Sequence, residues 1–199
     1  MNLATGIRDL GLELPAASEE TLLRYLALLA KWNRTYNLTA IRDERQMVTH
    51  HLLDSLAVLP YLDAVASLAD IGSGGGLPGI PLAICRPQML VASVESNQKK
   101  AAFQQQARIE LGLVNVSVHC RRVEEFTGIF DAVISRAFSD LASFVRLAGH
   151  LTGKLLAMKG AYPEAEIEQL PSGWRVGKIA RLEIPGLEAE RHLVILEKN

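Results

Sequence analysis

The stretch "LADIGSGGGLPGIP", Leu68 to Pro81, decides the fold. It sets Asp70, Gly72, Gly74 and Gly76 at alternate positions where an apolar strand gives way to a helix. Glycine lacks a Cβ, so the backbone can turn at positive φ and come close to a ligand, while the following helix is expected to offer unpaired amides. Asp70 ends the strand and can orient the loop or accept from a ligand. About 20 residues further on, where nucleotide folds place an acid for the ribose, Glu95 closes the apolar run "MLVASVE". These features describe the first half of a doubly wound α/β domain that holds an adenosine-containing cofactor.

Glycine spacing bears on which cofactor. Dinucleotide folds use G-x-G-x-x-G, and here the third position of that fingerprint is Leu77. The alternating D-x-G-x-G-x-G form resembles that of S-adenosylmethionine (SAM) methyltransferases. A G-x-x-x-x-G-K-[ST] phosphate loop is absent. A non-catalytic dinucleotide-binding module and a small-molecule SAM methyltransferase both remain open at this point.

The 199 residues, 49% hydrophobic, suffice for one good core with an appendage. A formal charge of −1 means that a nucleic-acid ligand has to be held by a local basic patch. Cys85 and Cys120 are isolated, so buried thiols are expected and no metal site. No run approaches the length of a membrane span, and the expectation is a monomer in the cytoplasm.

The character changes once, near Pro60 to Ser67, which divides a helical extension (residues 1–62) from a β/α unit (63–199). In the extension, "SEETLLRYLALLAKWNRTYN" is amphipathic at helical period with Ser18 as its expected cap, and "DERQMVTHHLLDSLAVL" forms a second helix opened by Asp43. Downstream, strands are predicted at 67–71, 90–95, 115–120, 131–135 and 154–158, with helices at 79–85, 97–111, 139–150 and 163–169. The tail holds two more strands, an antiparallel pair closing an otherwise parallel sheet. The fold class is therefore α/β, a Rossmann-like, mostly parallel seven-stranded sheet of the class I SAM-dependent methyltransferase kind.

What the chain lacks narrows the reaction. Exocyclic-amine methylation usually brings a [DNS]-P-P-[YFW] loop after the fourth strand, where "ISRAF" stands instead. Carbon methylation of cytosine needs a thiolate near that loop, and neither cysteine falls there. Guanine N7 carries its own lone pair and requires neither, so catalysis there is alignment without a general base.

The segments "KWNRTYNLTAIRD", "HLLDSL", "DIGSGGGLPGIPLAI", "RRVEEF", "ISRAF", "MKG" and "ERHLVIL" resemble the bacterial 16S ribosomal RNA guanine-N7 methyltransferase family, also called glucose-inhibited division protein B. The similarity spans nearly the whole chain. It implies SAM as methyl donor and a guanosine in the 530 loop of 16S rRNA as acceptor, on naked RNA or the assembling small ribosomal subunit. Carried over residue by residue, it places cofactor contacts on Gly72, Leu77, Val123, Glu124 and Arg136, beside Asp70, Gly74, Gly76 and Glu95. Leu77 is expected to pack on the ligand, and Arg136 to meet SAM, guanine or both. Lys31, Asn33, Asn37, Arg42 and His51 in the helical region, with Lys159 and His192 at strand ends, are the expected RNA contacts.

Overall fold

The structure is a computed structural model that describes every residue except Met1, Ala137 and Ser139. Part of the "ISRAF" segment, Ala137, thus lies outside the described residues. The chain opens with helices α1 (Leu3–Asp9), α2 (Ser18–Tyr36) and α3 (Glu44–Met47), and α3 runs through a π-wound segment (Val48–Leu53) into α4 (Asp54–Leu56). Then follow β1 (Ser67–Ile71), α5 (Gly79–Cys85), β2 (Leu90–Val94), α6 (Gln98–Glu110) and β3 (Val116–His119). The second half runs β4 (Ala132–Ser135), α7 (Leu141–Ala148), β5 (Lys154–Lys159), α8 (Glu164–Ile167), β6 (Trp174–Arg181) and β7 (His192–Lys198).

The seven strands form one sheet in the order β3-β2-β1-β4-β5-β7-β6. The five βα strands are parallel, and β7 runs antiparallel between β5 and β6. Strand order reverses between β1 and β4, so a crevice opens beyond their carboxyl ends, where α/β sheets hold their ligands. Strand residues alternate between two apolar layers: Leu68, Val91, Ile134 and Leu156 face one, Ala69, Ala92, Val133 and Leu155 the other. Covered on both faces, these strands are continuous apolar runs instead of alternating ones.

The first layer is shared with the helical extension. Leu22, Leu26 and Leu29 of α2 bury in the same cluster as Ile80 of α5 and Phe103 of α6, and half-buried Trp32 packs beside them, 5.7 Å from the Phe103 ring centre. Burying three or four such side chains is worth about 1.5–3 kcal/mol apiece before entropy is counted, which fixes the extension against the sheet.

Local signals worked at most helix ends. Asn97 accepts from the amides of Lys99 and Lys100, and Asp43 from that of Arg45. Ser18 is a correction. The turn at Ala17 is left-handed (φ 65°), Ser18 is the first helical residue, and its hydroxyl is buried against α5, where it donates to Ile84 O at 3.4 Å. Packing against a neighbour claimed a hydroxyl that local propensity assigned to the cap. Cys85 is buried, as expected of both thiols, but Cys120 is exposed beyond the end of β3. No helix among the described residues is long and apolar enough to cross a membrane.

His51 in the π-wound segment is 4% exposed. Its Nδ1 lies 3.1 Å from His50 O, an atom that only accepts, so Nδ1 carries the hydrogen and Nε2 accepts from Thr39 Oγ1 at 2.9 Å. Burial, aided by the Arg136 charge, lowers its pKa to about 4. An imidazole kept neutral contributes stability that is full above pH ~6.5 and is lost as pH falls towards ~4, because the unfolded chain then binds a proton that the folded one refuses. Asp70, raised by burial to about 7, acts in the opposite sense over the same range. The readout is therefore the stability gap between wild type and His51→Gln in urea unfolding. That gap should narrow by about 2 kcal/mol between pH 7 and pH 5, and an unchanged gap would mean that the imidazole is not held neutral.

Candidate active site

The glycine loop leaves β1 with φ of 66° at Gly72, 58° at Gly74 and 86° at Gly76, a region closed to most side chains. At Gly76 space adds to the requirement, since a Cβ would stand 2.4 Å from Ile80 Cδ1. The loop is pinned from several directions. Gly72 N donates to Val94 O (2.9 Å), Gly74 N to Glu95 Oε2 (2.8 Å) and Gly79 N to Asp70 Oδ2 (2.7 Å). Gln104, buried on α6, donates to Ser73 Oγ (2.8 Å) and Gly74 O (2.7 Å) and accepts from Ser93. Tyr25 on α2 donates to Gly75 O at 2.6 Å.

These bonds correct the expectation of unpaired amides at the next helix. The first amide of α5 is taken by Asp70, and α5 is a single short helix of 7 residues. What the loop offers a ligand is close backbone approach. Asp70 orients the loop as expected and is fully buried. Its second oxygen, Oδ1, lacks a hydrogen-bond partner among the described residues, and burial pushes its pKa up to about 7. Glu95, 7% exposed, spends one oxygen on Gly74 N and the other on Asn97 N at 2.7 Å. Each carboxylate oxygen keeps a second lone pair, which a ribose hydroxyl can use.

Beside Gly72 lies a cavity of about 190 Å³, lined among others by Val94, Ser96, Val123, Glu124 and Phe138. Val123 is half-buried and Glu124 exposed, both on a single 3-10 turn after β3. Leu77 departs from its expected role. Its side chain is 4% exposed within the core shared with the helical extension, and its amide closes the loop onto Ser73 O (2.9 Å). An apolar side chain at the start of α5 gains more by joining that core than by waiting at a ligand surface.

A second cavity, of about 380 Å³, opens beyond β4 and β5. Its walls include Ile41, His50, Asp54, Arg136, Lys159 and Arg191. Arg136 donates through Nη1 to Asp54 Oδ2 (2.9 Å) and to His50 O (3.1 Å), and Arg191 Nε donates to Asp54 Oδ1 (3.1 Å). Lys159 pairs with Glu166 at 2.9 Å, and that same carboxylate accepts from Leu141 N at the start of α7. The cavity rim is thus cationic although the chain as a whole carries −1.

Among the expected RNA contacts, Lys31, Asn37 and Arg42 are exposed, and Arg42 donates to Asn37 Oδ1 at 3.3 Å. Asn33, His51 and His192 are corrections, being 6%, 4% and 7% exposed. Asn33 closes the turn after α2 by donating to Ile41 O and accepting from Thr39 N. His192 Nδ1 donates to Gly160 O at 2.9 Å. Each serves the backbone, because a buried amide or carbonyl without a partner costs about 1–3 kcal/mol. Sequence reasoning missed Tyr25, Asp54, Gln104 and Arg191. A lone carboxylate inside the apolar run "HLLDSLAVL" was the available signal for Asp54.

Residues 18–194 match the family described as rRNA small subunit methyltransferase G. The chain is 57% identical over 206 residues to the ribosomal RNA small subunit methyltransferase G of Aromatoleum aromaticum, covering 99% of this chain and 98% of that protein. With the protein of the same name from Neisseria meningitidis serogroup C it shares 52% over 201 residues, 99% of this chain and 97% of that one. Among solved structures, the SAM-bound magnesium protoporphyrin IX methyltransferase of Synechocystis PCC 6803 superposes with a TM-score of 0.62 at 15% identity, covering 88% of this chain and 97% of that one. At that identity the likeness speaks for the fold. By the near full-length identity and the family match together, the chain belongs to the rRNA small subunit methyltransferase G family.

Proposed function

We propose that the protein methylates N7 of a guanosine in the 530 loop of 16S rRNA with SAM as donor, acting as a monomer in the cytoplasm on the RNA or the assembling small subunit. The observation that carries this reading is the pair of cavities flanking the segment after β4, one beside the glycine loop and one rimmed by Arg136, Lys159 and Arg191.

The residues beside Gly72 fit an adenosine. Gly72 lets the backbone come close, Glu95 has lone pairs for two hydroxyls, and Val123 and Glu124 can flank the base while Glu124 accepts from its amine. SAM, when bound, supplies an electrophilic methyl carbon on a sulfonium. The protein's own contribution is placement, an effect worth roughly 7–11 kcal/mol in well-oriented systems. The cationic rim of the second cavity draws an RNA phosphate. N7 lies at the bottom of a deep, narrow groove in A-form RNA, so the acceptor has to be a loop nucleotide or one extruded at a cost of a few kcal/mol.

Gly72→Val should abolish SAM binding in a protein that keeps its fold, since a branched side chain at φ 66° is strained and Gly72 forms part of the cavity wall. Calorimetry on the folded variant checks this, and unchanged affinity would remove the cofactor site from this loop.

Incubation of the protein with SAM and small-subunit RNA, followed by mapping of N7-methylguanosine, should show one modified loop position. A perfectly paired duplex of the same sequence should be a poor substrate. Equal methylation of loop and duplex, or transfer only to small molecules, would overturn the acceptor assignment.

A further inference from the structure

The Asp54 carboxylate is 2% exposed and divides its two oxygens between two arginines from distant parts of the chain, Oδ2 to Arg136 after β4 and Oδ1 to Arg191 before β7. The two arginine side chains are 29% and 26% exposed and line the second cavity. Among the described residues, Arg136 is engaged through Nη1, and Arg191 through Nε to Asp54 and Nη1 to Glu190 O. Among the described residues no hydrogen bond engages Nη2 of either, which can face a ligand. A buried anion that joins two cations fixes their planes, and a planar guanidinium recognises a phosphate by two parallel bonds only when its orientation is right. The three groups together carry one net positive charge, and the neighbouring Lys159–Glu166 pair adds none.

We propose that Asp54 is a positioning residue for the acceptor. It presents Arg136 and Arg191 as a fixed pair to a phosphate of the target nucleotide, and so sets where the guanine edge stands. Asp54 belongs to the helical extension, and both arginines belong to the β/α unit. The extension thereby takes part in substrate placement through a group that never touches RNA. The His50 carbonyl in the π-wound segment, which also accepts from Arg136, is the second support from the same element. Local π-winding is frequent at functional sites. The inference rests on reading this cavity as the acceptor's.

Charge alone makes the opposite forecast, which gives the test its edge. Asp54→Asn removes a negative charge from an RNA-facing site, so if Asp54 acts only through local potential, the KM for RNA falls. If it positions the arginines, the two cations separate and kcat/KM for RNA drops, by roughly 10- to 100-fold for a displacement near 1 Å. The experiment measures methylation of 16S rRNA at varied RNA concentration, SAM affinity by calorimetry and thermal unfolding, for wild type, Asp54→Asn, Asp54→Glu and Arg191→Lys. The expected result is a loss in RNA kcat/KM for Asp54→Asn with SAM affinity unchanged and partial recovery in Asp54→Glu. Arg191→Lys keeps the charge but not the fork, and should lose RNA turnover likewise. It also carries the test if Asp54→Asn does not fold. Wild-type turnover or a lowered RNA KM in Asp54→Asn, or full turnover in Arg191→Lys, overturns the proposal. A parallel loss of SAM affinity would assign the pair to the cofactor and overturn it too. An inactive wild type would instead refute the proposed function, and the inference with it.

Discussion

A loop that turns three times at positive φ has to satisfy its own backbone before it can hold anything else. Between Gly72 and Gly79 that requirement recruits Asp70 from β1, Glu95 from the end of β2, Gln104 from α6 and Tyr25 from α2. Each bond is worth only about 0.5–1.5 kcal/mol net, yet leaving its backbone partner unsatisfied in the interior costs about 1–3 kcal/mol. The glycine loop is therefore held from four separate elements that converge on it. The order of β1, β2, α6 and α2 around the sheet follows from that convergence as much as from apolar burial.

The same polar set explains what was legible in the chain and what was not. The glycine pattern, the acid at Glu95 and the cap at Asn97 are local signals, and the strands they imply lie within a residue or two of the observed ones. The reversed strand order and the antiparallel β7 follow from how such strands join. Asn33, His51 and His192 could not be sorted from surface RNA contacts by sequence. A polar residue near a helix end has the same identity whether it faces solvent or closes a buried turn, and only the packing of α2 and the π-wound segment decides between the two. Gln104 illustrates the converse. In "KKAAFQQQARIE" three consecutive glutamines look alike, yet one is fully buried and holds the loop.

Electrostatics at the site is a local matter. With 21 basic and 22 acidic side chains, the whole-protein field neither steers nor repels RNA strongly. The rim of the larger cavity concentrates Arg136 and Arg191, which share the Asp54 carboxylate, and Lys159, paired with Glu166. Matching limits non-specific attraction while it holds the cations in place. Such a surface is suited to one particular backbone path and poorly suited to tight binding of any RNA.

The helical extension braces both the glycine loop and the larger cavity. Its α2 supplies Tyr25 to the glycine loop, and the π-wound segment with Asp54 supplies partners to both arginines. Leu22, Leu29 and Leu52 are fully buried in the core layer that also contains Ile80 and Phe103, so moving the extension would open that layer and shift the larger cavity, whose wall includes Ile41, His50 and Asp54. A ligand that pressed on Arg136 and Arg191 would act on the π-wound segment and α4, which share a core layer with the α2 helix that braces Gly75. The glycine loop and the larger cavity thus lean on one packed layer, and contiguous packing of this kind is the physical route by which filling one place can alter the other.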